Sequence, residues 1–261
     1  MTHSPESRPN ARAEDTSRLP APLDIIIPAY NESENIPALA AALQALSAAH
    51  PDLLRRIILV DNHSSDDTPA LAAAHNFTVL HQPVRGYGSA CLAAINYLTS
   101  LPPQDQPRIV AFLDADLSDD PANIPHIITP ILQDRADFVI AQRDKHADPG
   151  ALNSTQRFGS RLAATLINLT TRSIYTDLGP LRAITFPALL SLDMSDPTWG
   201  WTVEMQYKAA KSKLRTLQID LPYHNRNAGT SKISGSIIGS VRAGYKIITT
   251  IFKLILTYKP K

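Results

Sequence analysis

Along the first half of the chain, short β-branched runs alternate with stretches of helical spacing. Leu23-Asp24-Ile25-Ile26-Ile27-Pro28 is an apolar run stopped by proline, the mark of a strand buried on both faces. Apolar residues then recur at Ile36, Leu39, Leu43 and Leu46, which predicts a helix over 36–49. The same alternation predicts strands over 56–61, 78–80, 109–114 and 137–141, and helices over 68–75, 89–98 and 124–133. Strands and helices joined by short connections argue for an α/β fold. Its sheet is mostly parallel, Rossmann-like and doubly wound, with helices on both faces.

The second half reads differently. Helices are predicted over 157–171 and 202–213 and a strand over 214–221, with a Gly-Pro loop at Asp177–Arg182 and a polar loop from His224 to Gly235. The final segment carries Ile237, Ile238, Val241, Tyr245, Ile248, Ile251, Phe252 and Ile255 at helical spacing, interrupted by Arg242, Lys246 and Lys253. Three regions follow: a disordered tail over 1–22, a folded domain over 23–235, and an amphipathic helix over 236–261. That helix suits a membrane interface, packing on the domain, or a dimer contact. No apolar run reaches a spanning length and no signal peptide is evident, so a cytoplasmic protein is expected, peripheral on the membrane if the last helix binds lipid.

Composition narrows the partners. A net charge of +1 over 261 residues gives no global attraction to nucleic acid. Cys91 is the single cysteine, so no internal disulfide can form, and its small apolar neighbours predict a packing role.

Four strand ends finish in polar clusters, and in an open parallel sheet ligands bind beyond those ends. Asp114-Ala115-Asp116 is the most informative: two carboxylates one residue apart after a buried strand can converge on a hard divalent cation, or can simply precede a helix cap. Arg85-Gly86-Tyr87-Gly88 precedes a helix and has the composition of a phosphate cradle, with glycines allowing close backbone approach and Arg85 adding donors. It is neither a Walker motif nor a dinucleotide fingerprint.

Together with Ile27-Pro28-Ala29-Tyr30-Asn31-Glu32, Val60-Asp61-Asn62-His63-Ser64-Ser65-Asp66-Asp67-Thr68, Asp177-Leu178-Gly179-Pro180-Leu181-Arg182, Gly200-Trp201-Thr202-Val203-Glu204 and Arg226–Gly235, these motifs carry a resemblance. The chain resembles the family 2 glycosyltransferases of the GT-A fold, nearest to the polyprenyl-phosphate (dolichol-phosphate) sugar synthases. The resemblance implies an inverting transferase that moves a hexose from UDP-glucose or GDP-mannose to an acceptor, with Mg²⁺ or Mn²⁺. Pro28, Tyr30, Glu32 and Asp61 would line the nucleoside pocket, with Arg85, Gly86, Gly88, Asp114 and Ala115 completing the donor site. Asp116 would hold the metal beside Asp114, with Ser118 standing where relatives often have a glutamine. Arg226 and Lys232 would close over the diphosphate, and Arg143, Arg157 and Arg161 would meet an acceptor phosphate. Asn62-His63 departs from the family's usual Asp-Gly.

A polyprenyl phosphate acceptor is already anionic and needs no strong base. A hydroxyl acceptor on a glycan or small molecule needs one, and Asp177 or Glu204 is the candidate. A noncatalytic nucleotide-sugar-binding protein is the alternative from another class. A nucleotidyltransferase is disfavoured because its Gly-rich signature is missing after the first strand.

Overall fold

A computed structural model of the chain describes residues 21–229 and 237–260. The expected tail lies outside the described residues except for its last two, as do Lys232 and the 235/236 boundary. One seven-stranded sheet contains β1 (Leu23–Ala29), β2 (Leu54–Asp61), β3 (Thr78–His81), β4 (Ile109–Phe112), β5 (Phe138–Gln142), β6 (Arg182–Thr185) and β7 (Thr216–Asp220). The strand order is β3-β2-β1-β4-β6-β5-β7. Every neighbouring pair is parallel except those of β6, which runs antiparallel to both β4 and β5.

The helices are α1 (Ile36–Ala49), α2 (Thr68–Ala74), α3 (Tyr87–Ser100), α4 (Ile124–Leu132), α5 (Ser154–Thr171), α6 (Phe186–Ser191), α7 (Trp201–Lys211) and α8 (Ile237–Thr257). β1 is central, with Ile25 paired to Ile57 on one side and to Ala111 on the other. Alternate residues of a strand point to opposite faces, and both faces here are buried. Ile26, Ile58 and Val60 meet Cys91 of α3, Ala163 and Ile167 of α5, Trp201 of α7 and Ile251 of α8. Ile25, Ile27 and Leu59 meet Leu39 and Leu43 of α1 and Ile127 and Ile128 of α4. Cys91 is therefore a packing residue, and burial pushes its thiol pKa well up.

Strand order reverses between β1 and β4, which opens a crevice beyond their carboxyl ends. β6 was not legible in the sequence. It has four residues, starts with an arginine and follows Gly-Pro, so it shows no periodicity. It forms because the loop ahead of it is pressed onto β5: a Cβ on Gly179 would lie 1.9 Å from the Ala141 carbonyl oxygen. The amide of Ala141 donates to the Leu181 carbonyl at 3.0 Å. Arg182, 1% exposed, donates to the carbonyls of Gly179 and Pro180 and, at 3.3 Å, of Thr202. A buried arginine thereby pins β6 to the first turn of α7.

Replacing Gly179 by alanine forces backbone apart at this contact. We expect Gly179→Ala to destabilise the fold by about 2 kcal/mol or more, read as a lower urea midpoint.

Candidate active site

The crevice holds a cleft of about 690 Å³. Its first wall is the exit of β1, which contributes Pro28, Tyr30 and Glu32. Asp114, Ala115 and Asp116, following β4, form the floor, and Arg85 and Gly86, following β3, join the lining. Arg143, after β5, and Arg226 complete the charged lining. Ten residues expected from the sequence thus share one cleft.

The floor is an electrostatic problem. Withdrawal from water and the neighbouring Asp116 carboxylate push the pKa of Asp114 up to about 7. Arg226 answers part of this: its Nη2 lies 2.9 Å from Asp116 Oδ2 and 3.2 Å from Glu32 Oε1, bridging the floor to the β1 wall. The 224–229 segment that carries it is tied down by backbone. His224 donates to the Ser118 carbonyl at 2.8 Å and Asn227 to the Asp116 carbonyl at 3.0 Å. Asn35 reaches the Ala228 carbonyl at 3.3 Å.

Two hard carboxylates on one floor fit a divalent cation of the magnesium class, which takes few protein ligands and fills the rest with phosphate oxygens and water. Among the described residues no group of three or more acidic, histidine or cysteine side chains is placed to hold a metal. Ser118 does not extend this donor set. It is buried, does not line the cleft, and its amide donates to Asp116 Oδ1 at 3.0 Å. Its part is to orient Asp116.

On the β1 wall, the Arg85 guanidinium lies 4.4 Å from the centre of the Tyr30 ring. Asp61 is drawn off the wall: its Oδ1 accepts from the Ser64 amide at 3.1 Å and its Oδ2 is 3.4 Å from His81 Nδ1. Asn62 takes the place on the wall instead. Its amide donates to the Val84 carbonyl at 2.8 Å, and its Oδ1 accepts from the Gly86 amide at 2.7 Å. An aspartate could not donate in this way, which accounts for the departure at Asn62.

The phosphate-cradle reading of Arg85–Gly88 is corrected. The amides of Gly88 and Ser89 donate to the Thr198 and Pro197 carbonyls at 3.2 and 2.8 Å. Cβ atoms on Gly86 and Gly88 would lie 2.1 and 2.0 Å from carbonyl oxygens of Pro197 and Asp196. The glycines admit a neighbouring loop rather than an anion, and Gly88 does not line the cleft.

Both expected bases are also corrected. Asp177 is 1% exposed and bonded to Arg143 through Nε and Nη2, each at 2.8 Å. Burial alone would raise its pKa, but Arg143 overcomes burial and holds it at about 2, far too low for a base. Glu204 is 2% exposed and faces away from the cleft. It pairs with Lys208 at 2.8 Å and accepts from the Asp196 amide at 2.7 Å and the Ser195 hydroxyl at 2.8 Å. Of the expected acceptor cations, Arg143 reaches the cleft. Arg157 and Arg161 lie outside its lining, each 3.4 Å from Asp144.

The sequence did not single out the role of the 195–199 loop. Asp196 accepts from the amide and hydroxyl of Thr198, each at 2.7 Å, and pairs with Lys246 of α8 at 2.8 Å. A Cβ on Gly200 would lie 2.4 Å from Asp196 Oδ2 and 2.6 Å from the Thr250 hydroxyl. So fixed, the loop presents Thr198 and Trp199 to the cleft. Asp120 caps the turn that follows, accepting from the Ala122 amide at 2.9 Å. Asp119 is 1% exposed, with burial pushing its pKa up to about 8.

The sequence profile described as "Glycosyl transferase family 2" matches residues 24–190. An uncharacterized glycosyltransferase of Mycobacterium tuberculosis is 33% identical over 222 residues, covering 84% of this chain and 93% of the relative. An undecaprenyl-phosphate mannosyltransferase of Micrococcus luteus is 26% identical over 225 residues, covering 82% and 88%. Among solved structures, glucosyl-3-phosphoglycerate synthase of M. tuberculosis, in complex with Mn²⁺, UDP and glucosyl-3-phosphoglycerate, superposes with a TM-score of 0.69. At 19% identity, over 89% of this chain and 79% of that one, this likeness establishes the shared GT-A fold.

The Asp177–Arg143 pair makes a signed prediction. Because the folded pKa of Asp177 lies below its ordinary value of 3.8, its contribution is full above about pH 5 and is lost as pH falls towards 2. Asp177→Asn leaves the largely buried Arg143 without its carboxylate partner. It should cost about 3 kcal/mol at pH 7 by chemical denaturation, and the gap to the parent should narrow towards pH 3.

Proposed function

The chain belongs to glycosyl transferase family 2, and on that premise we propose that it transfers a hexose from UDP-glucose or GDP-mannose to polyprenyl phosphate. In this reading a Mg²⁺ or Mn²⁺ ion is held by Asp114 and Asp116. The observation that carries the acceptor class is the inventory of acids in the cleft. Among the described lining residues the carboxylates are Glu32, bonded to Arg226, and Asp114 and Asp116, given in this reading to the metal, while Asp177 and Glu204 are engaged elsewhere. A hydroxyl nucleophile would need a base there; a phosphate monoester brings its own anionic oxygen. The similarity to an undecaprenyl-phosphate mannosyltransferase supports the same class.

The chemistry is a single displacement. An acceptor phosphate oxygen bonds to the anomeric carbon as the bond to the diphosphate oxygen breaks, and the nucleoside diphosphate leaves with the electron pair. The chain's share is positioning and charge stabilisation. Tyr30, with Arg85 stacked on it, and Glu32 would border the nucleoside. Arg226 would exchange Asp116 and Glu32 for the diphosphate, joined by Lys232. Arg143, held rigid by Asp177, would face the acceptor phosphate. The bound metal would supply positive charge against the departing diphosphate.

Calorimetry with each donor, with and without Mn²⁺, tests the donor site. One donor should bind with metal and lose binding in Asp116→Ala. A transfer assay with undecaprenyl phosphate should show turnover that falls about 100-fold or more in Arg226→Ala. Donor binding without transfer to any acceptor would instead favour a binding protein.

A further inference from the structure

Two neighbouring helices lie in stretches of sequence that carry several cations and no acids. No Asp or Glu occurs between Pro149 and Thr176, and none occurs after Asp220. These acid-free stretches contain α5 and α8, with Arg157, Arg161 and Arg172 in the first and, from α8 onward in the second, Arg242, Lys246, Lys253, Lys259 and Lys261. The whole chain is nearly neutral at +1, so its acids are gathered elsewhere.

α5 and α8 lie side by side. A Cβ on Gly159 of α5 would be 3.9 Å from Ile247 Cδ1 of α8. Both bury their inner faces in the same core, through Ala163 and Ile167 of α5 and Ile251 and Leu254 of α8, and α7 is buried along with them. Their outward stripes therefore lie on one side of the molecule.

Those stripes are apolar where a solvated surface would be polar. On α5, Phe158 and Leu169 are 67% and 75% exposed, with Arg161 one turn after Phe158 and Arg172 as the left-handed residue that closes the helix. On α8, Tyr245, Phe252 and Leu256 are 71%, 58% and 82% exposed, flanked by Lys253 and Lys259. No helix among the described residues is long and apolar enough to cross a membrane.

We propose that α5 and α8 together form one docking surface for an anionic lipid bilayer, with the aromatic and leucine side chains entering the interface and the cations facing acidic headgroups. The charge complementarity is one-sided: Arg157 and Arg161 lie beside Asp144 and Lys246 pairs with Asp196, yet the exposed Arg172, Lys253 and Lys259 leave the face net basic, which suits negative headgroups, whereas a second copy would set like charges against each other. α5 also carries Gln156 of the cleft lining in its first turn, so seating this face brings the cleft mouth to headgroup level. The surface stands on its own composition, and the lipid-acceptor reading is not needed for it.

Vesicle flotation of the full chain tests it. Binding to vesicles with 30% phosphatidylglycerol should exceed binding to pure phosphatidylcholine by about tenfold or more and fall with added salt. Phe252→Ser/Leu256→Ser on α8, and separately Phe158→Ser/Leu169→Ser on α5, should each weaken it several-fold. All four side chains are exposed, so thermal melts should match the parent, and calorimetric donor binding should persist. Equal binding to both vesicle types would overturn the proposal, as would an α5 variant that binds like the parent. Concentration-dependent self-association lost in both variants would overturn it in favour of a dimer face.

Discussion

Two carboxylates at the end of one buried strand cannot share a cleft floor without positive charge close by, and much of this molecule is arranged around that requirement. β4 delivers Asp114 and Asp116 at the point where strand order reverses, so neither can retreat from the other. Their mutual repulsion, added to loss of water, is what pushes Asp114 up to about 7. Arg226 supplies one neutralising charge from a distant segment, and in doing so draws the 224–229 loop across the cleft. The repelling pair thereby organises chain that is remote from it in sequence.

A second acid–base pair serves a different end. Arg143 enters the cleft from β5, and Asp177, ahead of β6, grips it through two hydrogen bonds. A long flexible side chain becomes a fixed donor fork. Arg182 does the same below, joining β6 to α7 through carbonyls. Buried ion pairs contribute little net stability, but they fix geometry where a cleft needs it. Glu204 and Asp196 repeat the device in the 195–199 loop.

Much of this was legible beforehand. The β-branched runs and the 3.6-residue spacing placed β1 to β5 and α1 to α4 within a few residues, because both faces of the sheet are buried and leave a strong apolar signature. β6 escaped because a four-residue strand with a buried arginine has no such signature. α5 began earlier than its apolar spacing indicated, because Asn153 and Gln156 form a capping box that polar residues announce only by position. At the site, the motifs contain many of the residues that share the cleft, but Asp61, Asp177 and Glu204 turn out to be engaged elsewhere. Sequence shows that a carboxylate exists, and only packing shows whether Asp177 and Glu204 already have partners. The glycines of Arg85–Gly88 misled for the same reason: a gap left for a phosphate and a gap left for a carbonyl look alike in one dimension.

The cleft wall built by the 195–199 loop is specified largely by atoms that are missing. Gly86, Gly88 and Gly200 admit carbonyls and a carboxylate at distances that a single methyl group would close. Such a wall tolerates almost no drift in its frame, since each contact is backbone against backbone or against a side chain already held from α8. Variation is instead free at Trp199 and Thr202, which line the cleft beside that frame. Divergence in what this scaffold recognises therefore has a narrow channel: a few interchangeable fittings mounted on a bracket that must stay as it is.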